Sequence, residues 1–216
     1  MVNKIRKSNF NINSPDFESV NKRYYQEEEE YDWIEVTDHF RGLESFFHFT
    51  RQINTKKLTK RFGKEGMYLD AGCGTGLILR HLPKGSVGLD INPRHIEKAK
   101  RHCPDYVLVL GDVEELPFAD NAFSTVICTE VFEHLPVPQR ALDEVMRVLQ
   151  PNGVLIGTVP AKNPIWKLRF LSSTHPGEPY HKEYRKKEII NLFSGKKVIF
   201  LNPLNFFMSW GFVIEK

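Results

Sequence analysis

The sequence predicts an α/β fold in which a doubly wound, mostly parallel sheet follows an N-terminal helical segment. Three observations support this prediction. From residue 67 onward, short apolar runs rich in β-branched residues alternate with amphipathic segments. A glycine-rich turn follows the first of these runs, and 216 residues with 41% hydrophobic content suffice for one such domain and a modest extension. Alternation of this kind places helices on both faces of a parallel sheet.

The apolar runs predict five strands, and the segments between them predict three helices. The predicted strands are Met67–Ala71, Ser86–Ile91, Tyr106–Leu110, Thr125–Thr129 and Gly153–Val159. The predicted helices are Gly76–Leu82, Pro93–Cys103 and Pro138–Leu149. Beyond Pro160 the pattern predicts a helix near Lys186–Phe193 and two closing runs, Lys197–Leu201 and Phe206–Glu215.

The region before the first strand has a different pattern. Residues 1–15 are polar and cannot bury a core, so we expect a tail there. From Asp16 to Phe62 apolar residues recur at helical spacing, and Glu27–Glu30 form a solvated acidic run. We therefore predict a tail and helical cap at 1–62 and an α/β domain at 63–216.

Composition excludes several classes of protein. The 30 Lys and Arg against 27 Asp and Glu give a net charge of +3, which is typical of neither a disordered chain nor a nucleic-acid-coating one. Charge is uneven, with 8 basic and 12 acidic residues in 67–150 but 10 and 4 in 151–216. Three cysteines in no CxxC pair favour a reducing compartment over a disulfide or zinc scaffold. Neither a signal peptide nor a membrane span is expected, so we predict a cytoplasmic protein.

The segment YLDAGCGTG at 68–76 carries the main functional signal. Asp70 ends the first strand, and Gly72, Gly74 and Gly76 let the backbone turn sharply and approach a ligand closely. A nicotinamide-dinucleotide fingerprint would have its third glycine at position 77, which is Leu77 here.

Two further carboxylates end the next strands. Asp90 closes the second strand, where a carboxylate can bind both hydroxyls of a ribose. Asp112, followed by Val113, closes the third strand at the same carboxyl edge. Ligands bind at this edge in parallel sheets, so these residues predict one shared site.

In this order, the motifs resemble those of the class I S-adenosylmethionine-dependent methyltransferases. The matching segments span residues 67–160 and are LDAGCGTG, the acidic end of strand two, GDVEELPFADNAF, EVFEHL and RVLQPNGVLIGTVP. The chain looks most like methyltransferase type 11 and the quinone and glycan-cluster methyltransferases. This resemblance implies a Rossmann-like sheet of seven strands. The departures at Ser124 and Asn152 lie outside the cofactor motifs.

The resemblance also implies that S-adenosylmethionine is the cofactor and S-adenosylhomocysteine the product. It assigns the three glycines to the methionine end, Asp90 to the ribose, Ile91 to the adenine face, and Asp112 with Val113 to the adenine edge. The full predicted cofactor site is Asp70, Gly72, Cys73, Gly74, Gly76, Asp90, Ile91, Asp112, Val113, Thr129 and Glu130.

The chemistry of such a cofactor needs little from the protein. A sulfonium methyl group is already activated, so the protein aligns a nucleophile and supplies at most one general base. His134 follows the fourth strand and has an ordinary pKa near neutrality, which makes it the candidate catalytic base. Its alternative role is a hydrogen bond within the local turn. Tyr24 and Tyr25 either close over the cofactor or pack within the cap.

The leading prediction for the acceptor is a small molecule that is methylated on a hydroxyl or an activated carbon, without a metal. The runner-up is a metal-dependent RNA 2′-O-methyltransferase. Its metal ligands would be Glu130, Glu133, His134 and either His175 or His181, and its RNA contacts would be Lys182, Arg185, Lys186 and Lys187. A cofactor-binding protein without turnover is the third alternative.

For two aromatic segments the sequence leaves two alternative roles open. The stretch 166–171 is either a lid packed on its own domain or an amphipathic surface for a lipid-like acceptor or a membrane. The stretch 206–210 is either a sheet edge or an interface, and the sequence predicts no oligomeric state.

Overall fold

The computed structural model describes residues 16–27, 32–39, 42–163 and 180–216. A seven-stranded sheet with the strand order β3-β2-β1-β4-β5-β7-β6 forms its centre. The strands are β1 Tyr68–Ala71, β2 Val87–Asp90, β3 Val107–Leu110, β4 Phe123–Thr129, β5 Leu149–Pro160, β6 Lys197–Leu204 and β7 Ser209–Glu215. The helices are α1 Phe17–Glu27, α2 Trp33–Asp38, α3 Gly42–Phe62, α4 Pro93–His102, α5 Pro138–Val148 and α6 Lys186–Leu192. The predicted α/β fold with a doubly wound, Rossmann-like sheet is confirmed.

Strand pairing creates a crevice at the middle of the sheet. Strands β1 to β5 run parallel, whereas β7 runs antiparallel to both β5 and β6. The chain proceeds from β1 outward to β2 and β3, and then returns to β4 on the other side of β1. Ligands bind at such a switch point, outside the carboxyl ends of the strands.

Alternate strand residues face opposite layers, so the sheet has two apolar cores. On one face, Leu69, Val126 and Leu155 are fully buried in a core that also contains Leu142 of α5. On the other face, Ile127, Ile156 and Val213 pack in a core that contains Leu58 of α3. Because α3 covers the sheet itself, the N-terminal helices are packed against the α/β domain. The division at residues 62 and 63 stays a prediction.

Two predicted elements differ from the structure. The segment Gly76–Leu82 was expected to be an α-helix but forms turns and one turn of 3₁₀ helix, Leu79–His81. Gly76 has a φ of +95°, which no α-helix accommodates, and Pro83 follows closely. The last run was expected to begin at Phe206, but β7 begins at Ser209 because Asn205–Phe207 all have positive φ.

Several predicted features lie outside the described residues, namely the 1–15 tail, positions 28–30 of the acidic run, the stretch 166–171 and His175. Within the described ranges, no helix combines the length and apolarity that crossing a membrane requires. Cys73, Cys103 and Cys128 are buried and form no disulfide.

Candidate active site

A cavity lies at the carboxyl ends of β1 to β4, at the switch point of the sheet. The predicted cofactor residues that line it are Asp70, Gly72, Cys73, Gly74, Asp90, Ile91, Asp112, Val113, Thr129 and Glu130. His134 lines the same cavity. Gly76, the remaining predicted residue, does not line the cavity: a Cβ there would lie 2.6 Å from Sγ of Cys103, the residue that follows α4. Its lack of a side chain therefore serves the packing of α4 against the loop.

The turn after β1 is held in a shape that favours glycine. Gly72 and Gly74 have φ of +80° and +54°. A Cβ on Gly72 would lie 2.4 Å from a methyl group of Val131, and one on Gly74 would lie 3.0 Å from the ring of Trp33. The N–H groups of Gly72 and Cys73 both donate to the carbonyl of Leu89, which ties the turn to β2. Trp33 of α2 thus packs directly on the glycine turn.

Asp90 connects this turn to α4. Its carboxylate accepts hydrogen bonds from the N–H groups of Gly74 at 2.8 Å and Asn92 at 2.9 Å, and Nδ1 of His95 lies 3.2 Å away. A carboxylate has about four lone-pair directions, so these contacts leave little capacity for further donors. The structure therefore gives Asp90 an additional role in holding the glycine turn. The paired bonds to both ribose hydroxyls stay a prediction.

Asp70 is a buried carboxyl at the end of β1. Burial, with a smaller contribution from the nearby charge of Asp90, raises the pKa of Asp70 to about 7, although the guanidinium of Arg51 opposes the shift. Oδ2 of Asp70 is buried and makes no hydrogen bond. A ligand that brings a cationic group would satisfy this atom.

Helix α3 contributes three cavity residues that the sequence analysis missed. Phe47, His48 and Arg51 of α3 line the cavity, and Arg51 is only 7% exposed. Their spacing puts them on one helix face, but no local signal distinguishes that face from an ordinary buried one. Arg51 and Asp70 together could hold the carboxylate and ammonium groups of an amino-acid moiety.

The end of β4 has an unusual backbone. Glu130 has a φ of +55°, which is uncommon for a residue other than glycine and costs about 1–3 kcal/mol. Its N–H donates to the carbonyl of Thr158, and its Oε1 is buried without a hydrogen bond. This conformation turns the Glu130 side chain toward the cavity. Asp70 and Glu130 thus present two unsatisfied carboxyl oxygens there, which fits a positively charged cofactor.

His134 is held by residues of α1. The hydroxyl of Tyr25 lies 2.8 Å from Nδ1 of His134 and donates to the carbonyl of Tyr180 at 3.1 Å. A carbonyl only accepts, and the hydroxyl has one proton, so Nδ1 must be the donor to Tyr25. The unprotonated nitrogen of neutral His134 is then Nε2. Nδ2 of Asn21 donates to the His134 carbonyl at 2.9 Å, which fixes the backbone as well.

Helix α1 is anchored on both sides of the cavity and forms its roof. Lys22 makes an ion pair with Asp112, and the hydrogen bond with that carboxylate raises the pKa of Lys22. On the β2 side, Nδ2 of Asn92 donates to the carbonyl of Tyr25 at 2.9 Å, and Arg94 donates to that of Glu27 at 2.7 Å. Tyr25 therefore lines the cavity and does not merely pack within the cap.

Three of the metal ligands predicted for the RNA methyltransferase alternative, Glu133, His134 and His181, line the same cavity. Glu133 is buried, and its Oε1 is 3.8 Å from Nε2 of His134. The rings of His134 and His181 are 5.4 Å apart, in an edge-to-face arrangement. Of the residues that the structure describes, no three His, Cys, Asp or Glu side chains are grouped closely enough to hold a metal ion.

Comparison with known proteins gives a consistent family. Residues 69–157 match the methyltransferase domain family. The chain is 29% identical over 146 residues to 2-methyl-6-phytyl-1,4-hydroquinone methyltransferase 2 of Oryza sativa subsp. japonica, covering 63% of this chain and 42% of that protein. It is 30% identical over 116 residues to ubiquinone biosynthesis O-methyltransferase of Coxiella burnetii, covering half of each.

A third relative is named for a different activity. The mitochondrial arginine-hydroxylase NDUFAF5 of Mus musculus is 33% identical over 105 residues, which cover 47% of this chain and 31% of that protein. The chain thus spans about a third to a half of the curated relatives it matches.

A solved structure supports the fold. A SAM-dependent methyltransferase of Thermotoga maritima superposes with a TM-score of 0.65 at 18% identity, over 85% of this chain and 97% of that one. The ordered motifs, the sheet order and the matched segment agree: residues 69–157 form a methyltransferase domain of the class I S-adenosylmethionine-dependent type.

Proposed function

We propose that this chain transfers a methyl group from S-adenosylmethionine to a hydroxyl or an activated carbon of a small-molecule acceptor. One observation carries the proposal. A single cavity holds both the unsatisfied carboxyls of Asp70 and Glu130, beside the glycine turn, and His134, whose Nδ1–H is fixed by Tyr25. Binding groups for a cationic cofactor and a candidate base thus lie in one enclosure.

The residues divide by the part of the cofactor that each would hold. The glycine turn, Asp70 and Arg51 would hold the methionine end, and Asp90 the ribose. Ile91, Asp112 and Val113 would enclose the adenine. When bound, the cofactor supplies a methyl group already activated on a sulfonium centre.

The remaining step required of the protein is removal of one proton. His134 would accept the proton of an acceptor hydroxyl at Nε2, because Nδ1 already carries one. The resulting imidazolium would lie 3.8 Å from the Glu133 carboxylate, which is buried and stabilises the added charge. Helix α1 would exclude water from the His134–Glu133 pair.

The activities for which two relatives are named support the class of acceptor. One is a methyltransferase of a phytyl hydroquinone and the other is an O-methyltransferase of ubiquinone biosynthesis. Ring hydroxyls and activated ring carbons are therefore the first acceptors to test.

The test follows transfer of label from [methyl-³H] S-adenosylmethionine to catechol and hydroquinone acceptors, with and without EDTA. We expect His134→Ala to lower kcat by about 100-fold without weakening S-adenosylhomocysteine binding. His39→Ala is the matched control, since His39 is exposed and does not line the cavity. Equal rates for His134→Ala and wild type would exclude the base role. Transfer to RNA alone, abolished by EDTA, would favour the metal-dependent alternative.

A further inference from the structure

Four phenylalanine side chains are exposed where α3 meets the turn between β6 and β7. Phe206 and Phe207 are 68% and 63% exposed, and Phe46 and Phe49 are 38% and 42% exposed. The rings of Phe46 and Phe206 are stacked with centroids 5.8 Å apart, so the helix and the turn form one continuous surface. We refer to these four residues as the aromatic patch.

The backbone of the turn holds two of these rings in solvent. Asn205, Phe206 and Phe207 have φ of +51°, +54° and +68°, a region that bulky side chains rarely adopt. Asn205 is buried, and its Oδ1 accepts a hydrogen bond from Asn54 of α3 at 2.7 Å. The turn is thus fixed to α3 in a conformation that displays Phe206 and Phe207. Backbone strain of this kind is typical of functional segments.

Exposed cations lie beside Phe207 and further along the helix face that carries Phe46 and Phe49. Lys162, Arg185 and Lys186 line a shallow depression together with Phe207. On α3, Lys57 and Lys60 are exposed and follow Phe46 and Phe49 at the spacing that continues the same helix face. The nearby carboxylate of Glu188 accepts the backbone N–H of Arg185 at the start of α6. We refer to these five cations as the basic rim.

We propose that the aromatic patch and the basic rim dock this chain on the surface of an anionic phospholipid bilayer. Aromatic side chains enter the boundary between headgroups and acyl chains, while flanking cations attract anionic headgroups. Charge complementarity thus favours an anionic bilayer as the binding partner of this surface. Two identical patches facing each other across a twofold axis would bring cations together, which disfavours a second copy of the chain. One face of the Phe206 ring is already covered by Phe46, which disfavours stacking of RNA bases.

Docking has a consequence for the cavity. Phe47, His48 and Arg51 line it from the same helix that carries Phe46 and Phe49. A docked chain would hold the cavity close to the lipid, where an apolar acceptor dissolves. This consequence rests on the proposed function, whereas the docking itself does not.

The test is flotation of the full chain with phosphatidylcholine vesicles, with or without about a quarter of phosphatidylglycerol. We expect flotation with the anionic vesicles only, and release at high salt. The double variant F206N/F207N should lower the partition coefficient by about tenfold. Asparagine tolerates positive φ, so this variant should keep its fold. The control V107S/L110S alters two residues that are 54% and 56% exposed on β3, at the opposite edge of the sheet, and should float like wild type.

Five results would overturn docking on anionic lipid. Three come from flotation: none with anionic vesicles, equal flotation with neutral ones, or unchanged flotation of F206N/F207N. The other two are a dimer in sedimentation velocity that this variant abolishes, and binding of single-stranded RNA that it abolishes. Calorimetric binding of S-adenosylhomocysteine without vesicles tests the proposed function separately. We expect F206N/F207N to match wild type in that measurement.

Discussion

At the scale of single residues, the buried carboxyl of Asp70 makes the free energy of unfolding depend on pH. Its native pKa of about 7 lies above the value of about 3.9 in an unfolded chain. The native state therefore holds this proton more tightly, and the free energy of unfolding falls as pH rises from about 4 to about 7. Above pH 7 the full cost of burying the charge is present.

Asp70→Asn should remove this part of the pH dependence. Between pH 5 and pH 8, wild type should lose about 2–3 kcal/mol of unfolding free energy relative to the variant, measured by urea denaturation. Asp105→Asn is the control, because the Asp105 carboxylate is exposed and pairs only with exposed Lys84 among the ion pairs described. Parallel stability curves for wild type and Asp70→Asn would show that burial does not raise this pKa.

Tyr25 is predicted to set the tautomer of His134. In Tyr25→Phe the acceptor of the Nδ1–H is lost, so the ¹⁵N shifts of the imidazole should change from one tautomer to a mixture. We expect kcat to fall by about tenfold, because less of the imidazole carries its free lone pair at Nε2. Tyr24→Phe is the matched control, since the Tyr24 ring packs edge-to-face against Tyr25. Unchanged ¹⁵N shifts in Tyr25→Phe would contradict the assignment.

At the scale of elements, α2 determines how closely the cap covers the glycine turn. Asp32 caps this helix by accepting from the N–H groups of Ile34 and Glu35, and it also contacts Nε2 of His102 in α4. Burial raises the pKa of Asp32, but the hydrogen bonds with His102 and with the Glu35 N–H, together with the charge of His102, outweigh burial and lower this pKa. The stabilisation is therefore present at neutral pH and is lost as pH falls through the lowered pKa.

Two variants of Asp32 distinguish its N-cap hydrogen bonds from its charge. Asp32→Ala should lower the unfolding free energy by about 1 kcal/mol and speed hydrogen exchange in α2, because both contacts are lost. Asp32→Asn keeps an N-cap acceptor and should lose less than half of that. Since Trp33 follows Asp32 and packs on Gly74, only Asp32→Ala should clearly weaken S-adenosylhomocysteine binding. Equal effects of the two variants would show that the charge of Asp32, and not its N-cap hydrogen bonds, stabilises α2.

Elements with strong periodicity were predictable from the sequence. The strands β1, β2 and β4 and the helices α4 and α5 follow from apolar runs, Pro at the first helical position and one-sided apolar faces. The segment after Gly76 was not, because tight packing against Cys103 and a positive φ override its helical pattern. The exposure of Phe206 and Phe207 could not be predicted either, since it depends on a hydrogen bond between Asn54 and Asn205, which are far apart in the sequence.

At the scale of the whole molecule, the sequence located the sheet side of the cavity, but for its roof it offered only Tyr24 and Tyr25, as one of two alternatives. Asp70, Asp90 and Asp112 are recognisable because each follows a strand within a known motif. Arg51, Lys22 and Asn21 reach the cavity through packing between residues far apart in the chain, which a single sequence does not reveal. The switch point of the sheet brings both groups together, so the cavity is a property of the folded chain.

The most direct test of the central claim is calorimetric titration of the chain with S-adenosylhomocysteine, beside Asp90→Ala. Circular dichroism confirms that the variant is folded. We predict one binding site per chain in the wild type, loss of binding in folded Asp90→Ala, and no effect of EDTA on the wild type. Absence of binding to the wild type, or undiminished binding to folded Asp90→Ala, would contradict a cofactor site at the carboxyl ends of β1 to β4.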